Sequence, residues 1–229
     1  MAAKGDEYTM THPQKNFGEM ALEIARWDLG YISQYLDLVG SKLEENKAEF
    51  SEWYKENLKQ LPDREMKYYK EFHGDEFYER HHVQPFLLHS MLLVSCMSLL
   101  ENKLAEVCQE IRNLNNIELT LGDITGLGIQ RARVYLKKVI GVEFPDQDST
   151  WHEITMYQKI RNYIIHQNST LDDSESSNAI RDYAHKRGKQ FRVHKDNTIW
   201  FSGEFCSEAI ENIGTFFKTL YPAAYAKVI

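Results

Sequence analysis

The stretch RNYIIH holds three side chains able to do chemistry together: Arg161, Asn162 and His166. A guanidinium grips anions such as phosphate through a fixed fork and keeps its charge at any working pH. An imidazole, with an ordinary pKa of about 6.5, exchanges protons near neutrality. On a regular helix five residues separate Arg161 from His166 by about 140° of rotation and about 7.5 Å of rise. Asn162 and His166, four apart, share one face. A long arginine side chain can swing to the edge of that face, so amide, guanidinium and imidazole converge beside a helix end. A plainer reading of the same residues stays open: cations near a helix C-terminus are favoured by its dipole, and His166 then only caps the last carbonyls.

Other charged groups bear on what such a site would hold. The segment RDYAHKRGKQFRVHK, 181–195, carries Arg181, Lys186, Arg187, Lys189, Arg192 and Lys195 against Asp182 alone, a local track suited to a polyanion. Arg131, Arg133, Lys137 and Lys138 form a second basic group, whose helical spacing equally suits a solvated face. Glu101 ends the most apolar run of the chain, either facing the motif to position Arg161 or simply solvated. His81 and His82 are adjacent, and neighbouring side chains on a helix diverge, which argues against chelation. Gly122, Gly126 and Gly128 follow no strand pattern and read as a turn. There is no GxSxG, HExxH or Walker sequence.

The elements that must position these groups are mostly helical. From Phe17 to Leu43 apolar residues keep helical spacing, and the pattern thins through Phe50, Trp53 and Leu58. Pro62 and Asp63 open a second charged helix that ends near Gly74. Pro85 opens a core helix that continues to a polar stop at NLNN, and 129–140 makes another. Thr150 and Glu153 have the spacing of a capping box before the helix that ends in the motif. A polar loop, QNSTLDDSESSN, follows it. Then Phe191 and Val193 before KDN, with Ile199 and Phe201 after it, predict a short β-hairpin. A last helix spans about 204–220. The organisation is a single helical domain, 1–229, with a long charged hairpin over 17–80 and a core over 84–221.

Composition sets the bounds. With 229 residues, 42% of them hydrophobic, the chain can bury a proper core, and its formal net charge of −7 excludes a general nucleic-acid coat. Three cysteines, Cys96, Cys108 and Cys206, are odd in number and form no CxxC, which fits a reducing cytoplasm. The first twenty residues lack the apolar core of a secretory signal. The run FLLHSMLLVSCMSLL, 86–100, is shorter than a membrane span and reads as a core helix.

An arginine, then a polar residue, then a histidine four to six places after the arginine, closing a helix in an all-helical domain, resembles the signature of the HEPN superfamily. RNYIIH fits with Asn162 in the polar place and His166 five after Arg161. The resemblance implies an all-α fold, a HEPN-like helical bundle with long N-terminal helices and a small hairpin before the C-terminal helix. It implies a homodimer whose two motifs share a cleft, and no metal or cofactor. Active members are metal-independent endoribonucleases, commonly toxins held by a cognate antitoxin or effectors of antiviral defence; others only bind nucleic acid or protein. The implied catalytic residues are Arg161, Asn162 and His166. Lys186, Arg187, Lys189, Arg192 and Glu101 are expected near the RNA. Some members carry a tyrosine two places after the histidine, where an antitoxin adds nucleotides. Here that place holds Asn168, which argues against such regulation.

Overall fold

A computed structural model describes residues 13–228, with side chains from Phe17 onward. The first twenty residues, read as lacking a secretory signal, lie mostly outside that range. Helix α1 runs unbroken over Pro13–Gln60, 48 residues and so about 72 Å. Its first half belongs to the main core, because Ala25, Leu29 and Leu36 are buried in one continuous apolar cluster with the later helices. Gly18 shows how close that packing is: a β-carbon there would lie 3.1 Å from Cβ of Tyr225. The cluster takes nothing from residues 44–85. Over that span the far end of α1 folds against α2 (Asp63–Phe72) and α3 (Gly74–Tyr78) through aromatic contacts of its own. Tyr54 meets Tyr69 at 5.5 Å between ring centroids, and Trp53 meets His73 edge-on at 5.1 Å.

A π-helical turn, Glu79–Val83, joins α3 to α4 (Gln84–Leu114). Pro85 stands in the first turn of α4, as expected, but the chain is already helical before it, so that Gly74–Leu114 is one helical stretch. The wider π turn just before the proline accommodates its ring and its missing N–H. Helix α4 is the spine of the core, burying Leu93, Cys96, Met97, Leu100, Leu104 and Ile111 among others. By length and composition this stretch could cross a membrane, and 39% of its most apolar window is buried inside the fold.

Helix α5 (Gly128–Tyr135) runs into a second π turn, Leu136–Ile140. Gly141, at φ 80°, ends it by letting the N–H of Val142 reach back to the carbonyl of Leu136 at 2.8 Å. Then come α6 (Ser149–His166), α7 (Glu175–Arg187), strands β1 (Phe191–Val193) and β2 (Ile199–Phe201), and α8 (Gly203–Tyr225). Helices α1 and α6 each pack on both α4 and α8. The hairpin is antiparallel with Arg192 opposite Trp200, so Phe191 and Phe201 turn inward.

Two local expectations change. Residues 175–187, read as polar loop and basic track, form α7, which Ser174 caps by accepting the N–H of Ser177 at 3.2 Å. The capping box at Thr150 and Glu153 is not formed: Asp148 occupies the N-cap position, and Glu153 is used elsewhere.

Candidate active site

The motif closes α6, which buries Trp151, Ile154, Tyr157, Ile160 and Tyr163. That inward stripe turns the motif's polar residues outward. Asn162 and His166 are exposed and Arg161 is half-buried. Nη1 of Arg161 donates to Oδ1 of Asn162 at 3.2 Å, and Nε2 of Gln158 reaches the same oxygen at 3.4 Å. Among the described residues no hydrogen bond joins His166 to this group, so one chain brings together Arg161 and Asn162 and leaves the imidazole open at the helix end. Gln158 was missed in the sequence, although its place four residues before Asn162 puts it on the same face. Its Oε1 is buried with no partner.

Tyr163, inside the motif, does different work. Its hydroxyl donates to Oδ1 of Asp172 at 3.0 Å and lies 2.7 Å from Oγ of Ser174, while Oγ of Ser177 donates to Asp172 at 2.7 Å. Hydrogen bonds from Ser174, then Ser177, and from Tyr163 hold the Asp172 carboxyl well below the usual carboxylate range. The chain leaves α6 through Asn168 and Ser169, both at positive φ, and the N–H of Ser169 returns to the carbonyl of Tyr163 at 2.9 Å. The next residues join the hairpin edge: Ile199 N–H donates to the Ser169 carbonyl and Leu171 N–H to that of Asn197, both at 2.9 Å. The helix end that displays His166 is thus fixed on two sides.

The basic track divides. Arg187 is committed to structure: it binds Glu153, and its Nη1 donates to both oxygens of Glu208 at 2.7 and 2.8 Å, tying α7 to α6 and α8. Tyr183 adds a 2.6 Å bond to Glu153 and lies under the Arg187 guanidinium. Arg181 is also engaged, with the Asp172 carbonyl at 3.1 Å and Asn197 Oδ1 at 3.2 Å. Lys186, Lys189 and Arg192 are exposed. Arg192 lies 4.5 Å over the Trp200 ring on the outer face of the hairpin. The pKa of His82 is lowered, by burial first and then by its electrostatic neighbours, among them Lys47 and Arg192, which bring two cations from α1 and the hairpin to this edge.

In the second basic group, Arg133 and Lys137 hold the buried Asp146 at 2.5 and 2.6 Å, and Arg131 binds the Gly126 carbonyl at 2.7 Å. Glu101 lies on α4 with its carboxylate against the start of α5, where a β-carbon on Gly128 would be 3.2 Å from its Oε1, and no ion pair joins it to Arg161 among the described residues. His81 is bonded at both ring nitrogens, to Ser51 Oγ at 3.0 Å and the Phe77 carbonyl at 2.8 Å. Among the described residues no group of three or more His, Cys, Asp or Glu is placed to hold a metal ion. Compared with family models, curated proteins and solved structures, the chain matches none.

Proposed function

We propose that this chain is an endoribonuclease of HEPN type, acting on RNA as a toxin or antiviral-defence effector. The observation that carries the reading is the bonded pair Arg161–Asn162, displayed with an open His166 on a helix end that two flanking elements hold in place. The 2′-oxygen of a nucleotide attacks the adjacent phosphorus while His166 accepts its proton. Arg161 neutralises the phosphorane oxygens, steadied by Asn162. The P–O5′ bond breaks and the leaving oxygen takes a proton, giving a 2′,3′-cyclic phosphate and a 5′-hydroxyl. Pairing of two chains brings the second imidazole as proton donor, and a cognate antitoxin covers the shared cleft. Lys186, Lys189 and Arg192 are the residues suited to guide the strand.

The pure chain incubated with RNA in EDTA is expected to yield cyclic-phosphate ends. Arg161→Ala and His166→Ala should each lower the rate by about a hundredfold or more, with the circular dichroism unchanged. Activity persisting in both variants removes the proposal. RNA left intact by the folded parent supports the second reading, a HEPN-like module that binds nucleic acid or protein without cleaving. The engagement of Arg187 with Glu153 and Glu208 and of Arg181 with Asp172 and Asn197, which thins the basic track beside the motif, favours that second reading.

A further inference from the structure

Helix α1 is apolar on two sides. One side enters the core; the other carries Phe17, Met20, Ile24, Trp27, Tyr31 and Leu38, all exposed. Their spacing of three and four fills the a and d places of a heptad, Gln34 excepted, within an arc of about 80°. Trp27, Tyr31 and Leu38 are 63%, 66% and 70% exposed, values far from those of a core seam. Alongside, α4 shows Leu87 and Met91, and residues 83–100 contain no Asp, Glu, Lys or Arg. A groove of about 250 Å³ between the two helices is lined by Tyr31, Tyr35 and Met91, and a smaller one by Met20, Ile24 and Glu106. Together they follow α1 for about 27 Å, five helical turns. The exposed apolar surface is on the order of 900 Å², beyond the ~300–600 Å² of a typical monomer's largest patch and enough for one side of a stable interface.

The charges around this groove decide what covers it. Its rim holds Glu19, Glu23, Asp28 and Asp37 on α1, with Glu106 and Glu110 on α4. Among the described residues, the cations beside it are already bound: Arg26 to Glu23 at 2.5 Å, and Lys103 to Asp28 and Glu106 at 3.0 Å each. A second copy pairing α1 with α1 meets like charge either way. In the antiparallel register Glu23 faces Asp37, and in the parallel register Glu23 faces Asp28, across the seam. A helix bearing lysine or arginine beside its apolar stripe meets the opposite sign, and finds three exposed aromatic faces, Trp27, Tyr31 and Tyr35, for its cations.

We propose that the α1–α4 groove docks an amphipathic helix of another protein whose apolar seam is flanked by lysine or arginine. This stands apart from the RNA-cleavage reading. The test uses the full chain and two labelled 21-residue peptides with Leu at a and d, one with Lys and one with Glu at e and g, followed by fluorescence anisotropy. The Lys peptide should bind at least tenfold more tightly than the Glu peptide, with the difference shrinking as salt is raised. Trp27→Ala with Tyr31→Ala should weaken it at least tenfold, and Glu23→Lys with Asp37→Lys should reverse the preference; both pairs lie on the exposed face, and circular dichroism verifies the fold. Equal binding of the two peptides, or binding of neither, overturns the proposal. So does sedimentation of the free chain as a dimer that Tyr31→Glu dissociates, which would make the second copy the occupant.

Discussion

At the scale of residues, RNYIIH splits into a displayed part and a structural part. Arg161, Asn162 and His166 face outward, whereas Tyr163 carries the part-buried bonds to Asp172 and Ser174. Tyr163→Phe keeps the ring and removes the hydroxyl that Ser177 also bonds. It should cost about 1 kcal/mol, the net loss from removing hydrogen bonds of which only the one from Ser177 is fully buried, read as a lower urea midpoint. His166→Ala, at an exposed position, should leave that midpoint in place. The spacing of Arg161, Asn162 and His166 was legible in the sequence because helical geometry fixes which side chains share a face. The role of Tyr163 was not, since its partners lie in a loop whose path depends on positive φ at Asn168 and Ser169. The capping box shows the same limit. Thr120 and Asp123 form one in a stretch read only as loop, while Thr150 and Glu153, which have the spacing, do not. The pattern says which bonds are available, and packing decides which are made.

Among the elements, α7 was the one the sequence concealed. Only Ser177, Ile180 and Tyr183 are buried along its 13 residues, too short an apolar stripe to stand out among so many charges. Its basic residues therefore read as one electrostatic track, when Arg187 is in fact a clamp among three helices. Arg187→Ala would leave Glu153 and Glu208 facing each other with no cation between them, and a loss of about 2–4 kcal/mol is expected in urea denaturation. Lys186→Ala and Lys189→Ala, exposed and free of that clamp, should hold stability within about 0.5 kcal/mol while weakening RNA retention. If Arg187→Ala left the urea midpoint unmoved, the clamp would have no structural weight and Arg187 would return to the track. The hairpin, by contrast, was plain from alternation, because each inward residue is separated from the next by an outward one. The π turns at Glu79–Val83 and Leu136–Ile140 have no comparable signature, since they arise from how a helix meets its neighbours.

For the whole molecule, stability should fall in two stages as the pH is lowered, because two kinds of buried group hold protons differently from the unfolded chain. His89 on α4 donates from Nδ1 to the carbonyl of Phe201 at 2.9 Å, joining the hairpin to the core helix. Burial lowers its pKa, outweighing that bond and the charge of Glu44. The unfolded chain therefore takes the proton more readily, and the stability His89 contributes is complete above its ordinary pKa of about 6.5 and declines as the pH drops below it. Asp146 acts lower on the scale. The Lys137 ammonium and the Arg133 guanidinium hold its carboxyl down at about 2, so its contribution is intact above the ordinary value of about 3.9 and is lost as the pH falls from there toward 2. Urea midpoints taken from pH 8 to pH 2 should accordingly be level at first, decline below about pH 6.5, and decline again below about pH 4. His89→Gln, whose side chain does not titrate, should flatten the upper step and leave the lower one. Asp146→Asn should lower the midpoint near neutrality, where the charged pair is lost, and reduce the lower step, the remainder of which belongs to Asp172, whose carboxyl is also held below the usual range. An upper step unchanged in His89→Gln would place its origin in other histidines, with His82 the next to replace.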